Sequence, residues 1–73
     1  MNETQAVRIL RRRQVETRTG LARSTIYERM AHGEFPRPIR LGPRSVGWLA
    51  DEIEGWIAAR IAESRPQTGE VQT

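Results

Sequence analysis

The spacing of apolar positions along the chain switches between a helical and an extended period, and each switch marks an element. Val7-Arg8-Ile9-Leu10 reads as a short extended lead-in. Arg11 to Thr19 follows without Gly or Pro and with Val15 as its one clear core residue, which predicts a short helix with a thin inner face and a basic outer one. Gly20 ends that helix by supplying a positive φ at low cost, and Leu21 can drop into the core as the chain reverses. Arg23 to His32 spaces Ile26 and Met30 four residues apart and puts Ser24, Thr25, Glu28 and His32 on the opposite face, the pattern of a second helix. Gly33 stops it, Pro36 and Pro38 forbid restarting it, and Phe35 is placed to fold back as an anchor. Ile39 and Leu41 then alternate with Arg40, Gly42-Pro43-Arg44-Ser45 is turn chemistry, and Val46 and Trp48 alternate with Gly47: a short β-hairpin with Arg44 at its tip. From Ala50 the helical period returns, with Ile53, Trp56, Ile57 and Ile61 on one face, until Pro66.

Length narrows what these elements can do. A chain of 73 residues supports one thin core and leaves little room for an enclosed substrate pocket, so binding is expected on the surface and catalysis is not. With no Cys and His32 alone, neither a disulfide framework nor a zinc site is expected, and no cofactor is implied. No apolar run approaches the roughly 20 residues of a membrane span, and Met1 to Leu10 lacks the order of a signal peptide, so a cytoplasmic protein is expected. The polar ends divide the chain into a flexible segment 1–7, a domain over 8–63 and a flexible tail 64–73.

Charge adds a direction. Residues 1–50 carry ten Arg against Glu3, Glu16, Glu28 and Glu34, whereas residues 51–73 carry Arg60 and Arg65 against five acids. A basic patch on a rigid surface attracts polyanions, and guanidinium suits bidentate contact to phosphate or guanine. A chain without Lys also arises from a GC-rich coding sequence, so the clustering carries the argument rather than the choice of Arg.

Two short helices joined by a Gly turn, a hairpin and a closing helix give an α+β, mainly α, winged helix-turn-helix. The stretch from Leu10 to Tyr27, the Gly33-Glu-Phe-Pro-Arg-Pro38 segment, the Arg40-Leu-Gly-Pro-Arg-Ser-Val-Gly-Trp48 wing and the Ile53, Trp56 and Ile57 helix together resemble the AlpA-type regulators. These are small, excisionase-like DNA-binding proteins of phages and mobile elements, related to the MerR-type DNA-binding head. The resemblance covers about residues 9–62. It implies double-stranded DNA as partner and a role in transcription, in excisive recombination, or in both. It also implies further copies of the chain on adjacent repeats, with integrase or the transcription machinery nearby. No heptad run supports a coiled-coil dimer. Two positions depart from the family pattern: Ala22 stands where a capping Ser is expected, and Glu16 where helix-turn-helix units keep a small residue.

Within that frame Arg23, Ser24, Thr25, Glu28 and Arg29 are the candidates for reading bases, because the first turns of a recognition helix face the base edges. A solvated helix face is the competing reading. Tyr27 either aims its hydroxyl at a phosphate or is a core-edge aromatic. Arg11, Arg12 and Arg13 sit where the helix dipole disfavours cations, which points to phosphate, against the alternative of an ordinary exposed cluster. In the wing Arg44 and Ser45 at the tip, Arg40 on the strand and Arg37 between two prolines are candidates for the minor groove or its phosphates. Trp48 and Trp56 follow the core periodicity rather than that of a base-stacking platform. Asp51, Glu52 and Glu54 suit the start of the closing helix, and Arg60 its end, by dipole sign. A different class, a small adaptor whose basic face binds an acidic protein, remains open beside DNA binding.

Overall fold

The computed structural model describes residues 6–65. The order is β1 (Ile9–Leu10), α1 (Arg12–Thr19), α2 (Arg23–Ala31), β2 (Ile39–Gly42), β3 (Ser45–Leu49) and α3 (Ala50–Ser64). The strands form one antiparallel sheet in the order β1-β3-β2, so the helix-turn-helix, the wing and the closing helix are all present. One element exceeds the expectation: the lead-in is a strand. Ile9 pairs with Leu49 and Leu10 with Trp48, which gives the backbone of the lead-in ladder partners on β3 and buries Leu10. Residues 1–5 and 66–73, including Pro66 and Val71, lie outside the described residues, and α3 runs to Ser64, into the stretch expected as tail.

The helix ends follow from local chemistry. Arg11 caps α1, and its backbone N–H donates to Gln14 Oε1 at 2.8 Å, half of a capping box. Gly20, at φ 76°, closes α1 with its N–H on the Glu16 carbonyl at 2.7 Å, the αL form of helix ending. After α2, Gly33 at φ 70° donates to Met30 O and Glu34 to Arg29 O, at 3.0 and 2.8 Å, which is the two-bond Schellman ending. Between these stops α2 begins at Ala22, an extended residue with no side-chain cap.

Val15, Ile26, Trp48 and Ile53 are fully enclosed, with Leu10, Phe35 and Ala50 completing the core and Leu21, Met30, Trp56 and Ile57 packed at its edge. Both indoles also act as pins. Trp48 Nε1 donates to Pro36 O and Trp56 Nε1 to Glu34 O, each at 2.9 Å, while Phe35 packs edge-on against Trp56 at 4.8 Å. The connector between α2 and the wing is therefore fixed from both sides. Ile61, expected on the core face, is 52 % exposed because the core ends a turn earlier. The hairpin differs too: Ile39 pairs with Gly47 and Arg40 with Val46, so Ile39 lies on the sheet face opposite Trp48, and a register irregularity follows before Gly42. Ile39 and Leu41 are exposed, and Leu41 and Ile9 close over Gly47, where a Cβ would overlap Ile9 Cγ2.

Candidate nucleic-acid interface

Three elements converge on one basic cleft. A hollow of about 270 Å³ is lined by Arg11, Arg12 and Arg13 from the start of α1, Tyr27 from α2, and Arg44 and Val46 from the wing. The wing is held to this place by its backbone: Arg11 Nε donates to Val46 O at 3.1 Å, and β1 flanks β3 on the other side. Arg44 occupies the two-residue turn between Gly42 and Ser45 and is exposed, as its position at the tip requires.

The four guanidinium groups are not equivalent. Arg12 pairs with Glu16 one turn along α1, which accounts for the acidic residue at that position and cancels one of the four cleft charges. Arg11 spends its Nε on a neutral carbonyl and keeps its charge. Arg13 and Arg44 are exposed and have no carboxylate within ion-pair distance among the described residues. Tyr27 is 40 % exposed, and the Arg23 guanidinium lies 5.7 Å from its ring centroid, a cation–π arrangement. The tyrosine is thus partly exposed, with its ring beside Arg23 and its side chain on the lining of the cleft.

The remaining candidates fall nearby but apart. Thr25, Glu28 and Arg29 line a separate hollow of about 330 Å³ with His32, which the helical spacing puts on the same face, and with Glu34, which it does not reach. His32 turns Nδ1 toward the Glu28 carbonyl at 3.0 Å, at the end of α2. Arg29 is half-buried, so its reach is shorter than that of Arg23, while Ser24 is exposed on the first turn. Arg37 lines a third hollow with Tyr27, Met30, Ala31 and Pro38. Arg40 is exposed opposite Val46, and Ser45 is half-buried opposite Gly42.

The model of the family described as the prophage CP4-57 regulatory protein (AlpA) matches residues 8–61, from the residue before β1 to the last turns of α3. The chain belongs to the AlpA family. Among its AlpA-like relatives, an Escherichia coli protein described as the DNA-binding transcriptional activator AlpA is 42 % identical over 66 residues, which cover 82 % of this chain and 94 % of that one. A phage P4 protein, described as the uncharacterized protein ORF88, is 49 % identical over 55 residues. That match covers 75 % of this chain and 62 % of the phage protein, less than two thirds of its length. The AlpA match contains every lining residue of the basic cleft, so the convergence of α1, α2 and wing lies wholly inside the family unit.

Acidic residues outside the cleft have partners that the sequence did not disclose. Glu54, expected to serve the dipole at the start of α3, instead takes both Nε and Nη2 of Arg18 at 2.5 Å, tying α3 to α1. The Glu54 hydrogen bond, followed by its charge, raises the Arg18 pKa above the ordinary arginine value. Arg60 lies before the last turn of α3 rather than in it, paired with Glu63 at 2.8 Å and 5.3 Å from the Trp56 ring centroid. Among the described residues no helix is long and apolar enough to cross a membrane.

Proposed function

We propose that this chain is a sequence-specific double-stranded DNA-binding transcriptional regulator that seats α2 in the major groove and lays the Arg44 wing on the neighbouring minor groove or its phosphates. The observation that carries this reading is the cleft in which Arg11, Arg12, Arg13, Tyr27 and Arg44 meet from three elements. A phosphate backbone is a row of anions, and a cleft of guanidinium groups beside an exposed helix start is complementary to it. The major groove, ~12 Å wide, admits an α-helix of the usual ~10–12 Å diameter such as α2. The name of the E. coli relative, a DNA-binding transcriptional activator, supports the same reading.

In this arrangement Arg23, Ser24, Thr25, Glu28 and Arg29 read base edges, with Arg23 presented in one orientation by the Tyr27 ring. Arg13 and Arg44 are the principal phosphate or minor-groove contacts, Arg11 and Arg12 reinforce them, and Arg37, Arg40 and Ser45 extend the track along the wing. Further copies on adjacent repeats would lengthen the contact, and the protein would reside on the nucleoid.

The test is titration of the purified chain onto duplex fragments from the DNA upstream of its own coding region, with excess nonspecific competitor. With roughly six phosphate contacts, affinity should fall about a thousandfold between ~50 and ~200 mM salt while discrete complexes survive competitor. Binding indifferent to salt, or removed entirely by competitor, would sink the proposal.

A further inference from the structure

A hollow larger than the basic cleft, a groove of about 690 Å³, lies between β1, α1 and α3. Buried Leu10 and Ala50 form its floor, Gln14 and Thr17 are on one wall, and Arg8 and Arg13 stand exposed at one end. At the other end Arg18 and Glu54 close on each other with two hydrogen bonds of 2.5 Å. That pair cancels its own charge and fixes the separation of α1 from α3, so the groove exists before anything enters it. On the helical wheel Gln14, Thr17 and Arg18 lie opposite Arg12 and Glu16, the side of α1 that borders the basic cleft. Arg13 alone lines both.

We propose that this groove docks an acidic amphipathic segment of a partner protein. The chemistry selects the occupant. An apolar floor calls for an aliphatic anchor, and the guanidinium groups of Arg8 and Arg13 at one end call for carboxylates beside that anchor. A small ligand would stay largely exposed in a trough open along its length, whereas a peptide can lie along it. A nucleic-acid backbone would find an apolar floor and a self-neutralised Arg18–Glu54 pair where it needs a row of cations. The inference goes beyond the DNA-binding reading, and its measurement uses no DNA.

The experiment is amide NMR on the full isotope-labelled chain, titrated with a blocked amphipathic peptide bearing leucines on one face and glutamates on the other. The control is the same peptide with glutamine for every glutamate. The amides of Gln14, Thr17 and Ala50 should shift with the glutamate peptide, and the glutamine peptide should bind about tenfold more weakly. Arg8→Gln and Thr17→Glu, both at exposed positions, should each weaken the glutamate peptide while leaving the remaining resonances in place, which controls for folding. Absence of shifts, equal binding of the glutamine peptide, or shifts centred on Tyr27 and Arg44 would overturn the proposal. So would concentration-dependent shifts of the groove amides without peptide, since they would assign the groove to a second copy of the chain.

Discussion

The wing side and the closing-helix side of this molecule both carry arginines, but hold them by different partners. Around the cleft Arg11 rests on a backbone carbonyl and Arg23 over an aromatic ring, two partners that orient a guanidinium without neutralising it. On the α3 side the arginines are matched: Arg60 with Glu63, and Arg18, reaching across from α1, with Glu54. Arg12 with Glu16 is the intermediate case, a matched pair on the rim of the unmatched side. The count of arginines therefore says less about where a polyanion binds than the kind of partner each one keeps. A guanidinium held by a neutral group is pre-oriented and still charged, which is what recognition of a phosphate or a base edge requires.

If that contrast governs binding, its largest expression should be at Arg23. Arg23→Ala should cost about 1–3 kcal/mol on the preferred duplex and relax preference at one base pair, measured by titration against single-base variants of the site. Tyr27→Phe should retain this preference and Tyr27→Leu should erode it, because the ring rather than the hydroxyl steadies Arg23; equal effects of the two would refute the cation–π role. Arg44→Ala should weaken all sequences alike, by about tenfold, and lower the slope of affinity against salt by about one. Arg60→Ala should leave affinity where it was.

Glu16→Gln attacks the contrast from the other side. It removes the carboxylate that occupies Arg12, and duplex affinity should rise severalfold at low salt; an unchanged affinity would mean Arg12 takes no part. The Arg18 and Glu54 pair should affect stability but not binding. The folded-state pKa of Arg18 is raised, so the contribution of that group is complete at neutral pH and is lost as pH climbs past the ordinary arginine range. Glu54→Gln should thus lower the Tm slightly with duplex affinity unchanged. The smallest effect is at Ala22, where Ala22→Ser should add about 1 kcal/mol to stability by capping α2, read from chemical denaturation.

The helices and the hairpin were legible because their punctuation is local. Gly20 and Gly33 both adopt the positive φ that their positions imply, and the Gly42 to Ser45 turn puts Arg44 at the tip. Strand β1 was not legible as a strand, since two residues carry no periodicity and its partner lies some forty positions away on β3. The same reason hid Arg18 with Glu54 and Arg11 with the Val46 carbonyl: both join residues about thirty-five apart, and no spacing rule reaches that far. For the site, the sequence named all four cleft arginines and Tyr27 and put His32 on one face with Thr25 and Glu28, but could not say which arginines share a cleft, nor that Glu34 borders that face. Exposure is readable from one residue's neighbours in sequence; convergence depends on how three elements pack.

The bond from Arg11 to Val46, together with the pairing of β1 on β3, makes the start of α1 and the base of the wing one rigid piece, with α2 joined to it through the core. In the proposed binding mode, a head built this way would work as a caliper with its jaws locked. The distance between what the helix touches and what the wing touches is set by the protein, so a target gaining a single base pair between those two contacts would have to deform to be gripped at both, or be held by one jaw alone.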